Sequence, residues 1–152
     1  MRIGSPLYLV ESKDVCWKCR QPQRVIALAT PRVDDGDMDT FDGGPMDEPL
    51  LLKNVRQLPK PLERWLAANE PHYRRHFSKK AGIEYFANLC PKCGANFGDH
   101  FLHEVGGAFF PQVPEEAERM ALVELPLEGE FEVQADWVMG AGELLLEFAI
   151  RR

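Results

Sequence analysis

No apolar run in this 152-residue chain approaches the roughly 20 consecutive residues that a membrane-spanning helix needs. The first 14 residues, MRIGSPLYLVESKD, hold one Arg, a short apolar run from Leu7 to Val10 and no small-residue cleavage site, and do not read as a signal peptide. A soluble cytoplasmic protein without membrane contact is the expectation. The chain also lacks a phosphate-binding glycine loop, a nucleophile elbow and a recognisable pair of catalytic carboxylates, so nothing in it argues for an enzyme. Asp34, Asp35, Asp37 and Asp39 lack the glycine and the distal Glu of a calcium loop. His72 and His76 lack the Glu that a zinc-protease helix carries between its histidines. There is no internal repeat beyond paired cysteines, and no low-complexity tract.

What is present suits a globular chain. The apolar fraction is 45% and aromatics make up 10%, enough to bury a core. Formal net charge is −6, which disfavours nucleic-acid binding by charge alone. The charge is segregated. Asp34 to Glu48 holds seven acids and no base, Lys53 to Lys80 eight bases and two acids, and Glu115 to Glu147 ten acids and one base.

Local patterns predict the elements. Leu7–Val10 and Val25–Ala29 read as two strands of a hairpin. The Pro-, Gly- and Asp-rich segment 31–49 reads as a mobile loop. Leu50–Leu52 reads as a short strand. Pro61 suits the first turn of a helix over about Leu62–Asn69, with Leu62, Trp65 and Leu66 on one face. A second short helix is placed over Tyr73–Lys79, ending near Gly82, and a strand over Ile83–Ala87. Asp99–Val105 is left open between helix and strand. Pro114–Met120 reads as a short helix with acids in its first turn. Leu122–Leu125, Phe131–Gln134 and Leu144–Ile150 read as strands, the last two joined by a Gly140–Ala141–Gly142 turn.

All four cysteines fall into two CxxC pairs, Cys16-Trp17-Lys18-Cys19 and Cys90-Pro91-Lys92-Cys93. Such a pair presents two sulfurs to one metal from a tight knuckle, and four thiolates satisfy tetrahedral Zn²⁺. Pro91 and Gly94 favour the knuckle turn in the second pair. In the first, Arg20 stands where glycine is expected. Disulfides need an oxidising compartment that nothing here implies. A redox CxxC would open a helix, and RQPQRV after Cys19 opens one poorly. Iron is chemically allowed by four thiolates, but this spacing favours zinc. Four cysteine ligands fill the coordination sphere, so the zinc is expected to be structural. It would bring the net charge to about −8.

The run Asn88-Leu89-Cys90-Pro91-Lys92-Cys93-Gly94-Ala95, with Gly98-Asp99, Leu102-His103, Phe109-Phe110-Pro111 and the upstream Cys-Trp-Lys-Cys, resembles a group of poorly characterised bacterial split zinc-ribbon proteins. The resemblance covers Val10–Ala29 and Tyr85–Pro111 and implies zinc binding in a bacterial cytoplasm. It supplies no activity, and Arg20 departs from the group's usual glycine.

The expected architecture is α+β in a single domain, 1–152. Two β-hairpins form a split zinc ribbon (about 7–30 and 83–112), around a helical insertion (about 31–82) and before a C-terminal helix with an antiparallel β extension (about 113–152). The leading functional expectation is a non-enzymatic zinc-ribbon module for protein–protein contact or self-association, with the last hairpin or Phe109 and Phe110 as contact surfaces. Tyr73, Arg74, Arg75, Lys79 and Lys80 interleave bases with aromatics, as single-strand nucleic-acid binders do; this is the first alternative. His100 and His103, beside Asp99, are the candidates for a hydrolase or transferase.

Overall fold

The computed structural model describes residues 1–43, 49–139 and 142–152. In chain order its elements are β1 (Arg2–Gly4), β2 (Tyr8–Val15), β3 (Pro22–Thr30), β4 (Arg32–Asp34), β5 (Leu50–Gln57), α1 (Lys60–Asn69), β6 (Tyr73–Ser78), β7 (Ile83–Asn88), α2 (Asp99–His103), α3 (Pro114–Ala117), β8 (Ala121–Glu124), β9 (Glu130–Glu132), β10 (Gln134–Val138), α4 (Gly142–Phe148) and β11 (Ile150–Arg151). The fold is mixed α+β, mostly strand. Its largest sheet is open, in the order β10-β5-β3-β2-β8-β11. A three-stranded sheet, β4-β1-β9, and the β6–β7 hairpin accompany it.

The run Val25-Ile26-Ala27-Leu28-Ala29 explains the layering. It occupies β3, inside the large sheet, where alternate side chains point to opposite faces and both faces are covered. Ile26 and Leu28 pack on one side with Leu9, Leu50, Leu52, Leu62, Leu66, Tyr73 and Phe86. Val25, Ala27 and Ala29 pack on the other with Val10, Leu51, Cys16, Cys90, Phe97, Leu102, Phe109 and Leu145. Leu62 and Leu66, both buried on α1, contribute about 1.5–3 kcal/mol each by leaving water.

The β2–β3 hairpin forms as expected, from Tyr8↔Ala29 to Val15↔Pro22, with the first cysteine pair at its tip. Helix α1 also forms as expected, and β5 extends well past Leu50–Leu52. The 31–49 segment is not all loop. Arg32–Asp34 pairs with β1, and the Thr40 hydroxyl accepts the Val33 N–H at 2.7 Å. Residues 44–48 lie outside the described residues.

Four expectations are corrected. Tyr73–Lys79 is not a helix, because Tyr73–Ser78 pairs residue for residue with Ile83–Asn88 and closes through Gly82 at φ +70°. The partner strand, at most 15 positions along the chain between Tyr73 and Asn88, outweighs a weak helical pattern. For the same reason the second cysteine pair is not the tip of a hairpin. Strand β7 pairs upstream with β6, and beyond the knuckle only an isolated bridge, Leu89↔Asn96, forms. Leu144–Ile150 is not a strand either. Its leucines sit on α4, and Leu145 there and Ala149 just past the helix end, four residues apart, bury into the face shared with the cysteines. Gly142 opens that helix; positions 140 and 141 of the expected turn lie outside the described residues. Finally, the C-terminal strands build no separate antiparallel extension. Strands β8, β9 and β10 add to β2, β1 and β5, and β11 runs parallel to β8.

Candidate metal centre

Two segments 70 residues apart in sequence adopt the same local turn. In the first knuckle the Cys16 N–H donates to the Gln21 carbonyl at 2.9 Å and the Arg20 N–H to the Cys16 carbonyl at 2.9 Å. In the second, Cys90 N–H donates to Ala95 and Gly94 N–H to Cys90, both at 2.8 Å. Arg20 and Gly94 hold equivalent places, with φ of +62° and +77°. Glycine adopts that conformation freely, whereas Arg20 carries the left-handed penalty of about 1 kcal/mol. The departure seen in the sequence is therefore tolerated by strain and leaves the turn unchanged.

The fold apposes the two knuckles. Cys16 Sγ lies 3.6 Å from Cys93 Sγ, and Cys19 Sγ 3.7 Å from Cys90 Sγ. All four sulfurs lie within 4.8 Å of one another. A tetrahedron with metal–sulfur bonds of about 2.3 Å has edges of about 3.8 Å, so the donor set fits a single four-coordinate ion. Cys16 and Cys90 are buried and the other two half-buried. Trp17, between the first two cysteines, donates from Nε1 to the Asn96 carbonyl at 2.9 Å and so ties one knuckle to the other.

The thiols are already polarised. At Cys16, the Cys19 N–H aimed at its sulfur leads the causes; with the Lys18 N–H and neighbouring thiols it outweighs burial and lowers the thiol to about 6. Burial opposes ionisation of Cys90, but the Cys93 and Lys92 N–H groups prevail and its thiol too is lowered. Cys19 receives the Gln21 N–H, yet burial and three adjacent sulfurs push it up to about 11. Without a cation these sulfurs cannot all ionise together. A divalent ion at their centre removes that competition.

A buried amide sets the placement of the second knuckle. Asn88 Oδ1 accepts the Ile26 N–H and its Nδ2 donates to the Ile26 carbonyl, both at 2.9 Å. Strand β5 pairs with β3 only at Leu28–Thr30. The amide therefore takes over the β3 edge that β5 has left, two residues before Cys90.

The remaining candidates disperse. Tyr73 is in the core at 5% exposure, stacked near Phe86, and is withdrawn from any surface role. Arg75 pairs with Glu63 at 3.3 Å and lies over the Phe86 ring. Arg74, Lys79 and Lys80 are exposed. His100 is exposed and 3.9 Å from Glu104. His103 is buried, and burial, with Lys53 adding to it, lowers its imidazole to about 4, so it stays neutral. The two histidines do not share a site. Phe109 is in the core and offers no contact surface. Sequence reasoning missed the pairing of Asp99 with β5: its Oδ2 accepts the Asn54 N–H at 2.7 Å, where Asn54 bulges at φ +49°. A polar residue interrupting the apolar β5 run was the only signal.

Compared with protein-family models, curated proteins and solved structures, the chain matches none. No described helix is long and apolar enough to cross a membrane.

Proposed function

We propose that this chain is a non-enzymatic, cytoplasmic binding module built on one structural Zn²⁺, acting through contact with a protein partner. The observation that carries the reading is the pair of knuckles giving two sulfurs each to one tetrahedral point. Such a sphere is closed, leaving no position for water or substrate. Sulfurs no more than 4.8 Å apart suit one ion and leave no room for a multi-iron cluster. The resemblance of both cysteine motifs to bacterial split zinc-ribbon proteins supports zinc as that ion.

Phe109 is buried, so the contact surface proposed here is a different one. Val15, Trp17 and Phe101 are more than half exposed and cluster beside the first knuckle, which is unusual exposure for large apolar groups. Metal-replete protein is expected to carry about one zinc per chain. Crosslinking to a partner should fall in Trp17→Asp with zinc retained. A chain that binds no metal, or keeps its crosslinks in that variant, sinks the reading.

A second reading is favoured by one feature. Phe77 is 57% exposed on the same hairpin as Arg74, Lys79 and Lys80, so a reduced basic–aromatic surface survives for single-stranded nucleic acid. Reversing those three charges should abolish binding to a single-stranded probe at low salt; unchanged binding ends this alternative.

A further inference from the structure

Next to the metal centre lies a cleft of about 770 Å³, within the range of specific ligand sites. Its walls come from three parts of the chain: the first knuckle (Val15, Trp17), the β6–β7 turn (Lys80, Ala81) and the entry to α2 (Phe97, Asp99, Phe101). Val15, Trp17 and Phe101 are 52%, 60% and 54% exposed, so apolar surface is held open on its rim. The interior contains a different kind of group. Asp99 lines the cleft at only 5% exposure. Among the described residues its one hydrogen bond is from the Asn54 N–H to Oδ2, whereas a carboxylate can accept about four. Burial raises its carboxyl to about 6, against the pull of the Asn54 N–H and of Lys53, so near neutrality it is a poorly solvated anion. Lys53 acts on it only as a nearby charge, and among the described residues no cation donates a hydrogen bond to it. Asp14 adds a second acid to the lining. Lys80 and His100 are the basic residues of the lining, and the Lys80 ammonium lies 5.8 Å from the Phe101 ring centroid.

We propose that the cleft receives a segment of a protein partner in which an aromatic side chain stands next to a lysine, the ring against Trp17 and Phe101 and the ammonium on Asp99. The inference rests on the binding-module reading above and names its partner's chemistry. Apolar rim and buried acid together select it: an acidic segment would bring like charge to Asp99, and a purely apolar one would leave that carboxylate desolvated and unpaired.

The test uses zinc-loaded full-length protein, with zinc content measured on the same sample, and follows backbone amide NMR shifts. The probes are acetyl-Lys-Phe-amide, acetyl-Glu-Phe-amide and phenethylamine. Acetyl-Lys-Phe-amide is expected to shift the cleft residues and to bind at least about tenfold more tightly than its Glu counterpart, the usual worth of one charge-assisted hydrogen bond. Asp99→Asn keeps an acceptor for the Asn54 N–H and should erase that preference. Phe101→Ala, an exposed change, should weaken both peptides while zinc is retained. The proposal is overturned by equal or tighter binding of the Glu peptide, by a Lys preference that survives Asp99→Asn, or by no shift at the cleft. Phenethylamine binding more tightly than either peptide would make this a small-molecule site and likewise overturn it. Loss of zinc from the wild-type chain would instead mark failure of the module reading.

Discussion

Replacing Asn88 by Ala tests how the two halves of the metal centre are held in register. The Asn88 side chain satisfies both the N–H and the carbonyl of Ile26 at 2.9 Å, in a position only 6% exposed. Alanine removes both partners and leaves two backbone groups of β3 without hydrogen bonds beside the apolar core. Each unsatisfied buried group costs about 1–3 kcal/mol, so the expected loss is about 3 kcal/mol. For a domain of this size that lowers the thermal midpoint by about 6–12 °C. Urea unfolding of the zinc-saturated protein, followed by tryptophan fluorescence, measures it directly; the midpoint should fall with little change in slope. Asn88→Leu should be at least as damaging, because its bulk blocks water from replacing the amide. A loss under about 1 kcal/mol in both variants, with zinc still bound, would refute the assignment of this amide as the clasp between β3 and the second knuckle.

Removing the metal should destabilise the fold by linkage. At free zinc a hundredfold above Kd the bound ion contributes about 2.7 kcal/mol, which calorimetry with and without chelator will register and Cys90→Ser will reproduce without chelator. Arg20→Gly relieves the left-handed strain at φ +62° at some cost in chain entropy, for a net gain of about 0.5 kcal/mol in urea unfolding. Gly94→Ala, at φ +77° with open space around its Cβ position, should lose about 1 kcal/mol through backbone strain alone. Asp99 has a folded pKa raised from 3.8 to about 6. Between those values the folded state keeps a proton that the unfolded state has released, so its contribution to stability falls as pH rises through this window and is level above it. Unfolding curves of wild type and Asp99→Asn should therefore diverge in the variant's favour by up to about 3 kcal/mol from pH 4 to pH 7; parallel curves would contradict the burial of that charge.

Much of the centre was legible because its determinants are local. The CxxC spacing, Pro91 and Gly94 prescribe a knuckle whatever surrounds it, and Arg20 adopts the same turn as Gly94. The β2–β3 hairpin and α1 were equally plain, from apolar runs and from Pro61 with Leu62 and Leu66 four apart. The errors fell where a short apolar or mixed segment fits two periods. Tyr73–Ser78 became a strand only because Ile83–Asn88 lies alongside it. The leucines of α4 became a helix because the sheet face there takes Leu145 and Ala149, one turn apart.

By itself, then, the sequence determined four candidate metal-binding cysteines and the shape of each knuckle, since turn chemistry is settled within a few residues. Tertiary structure alone decided that the knuckles meet: residues 70 apart converge because Asn88 completes the edge of β3 and both faces of that strand are buried. It also decided what lies beside them. Asp99 stands out in the chain only as the neighbour of His100 and His103, and becomes a buried carboxylate under an aromatic rim only once α2 packs against the bulge at Asn54. Long-range pairing of that kind depends on the whole fold, and no local pattern encodes it.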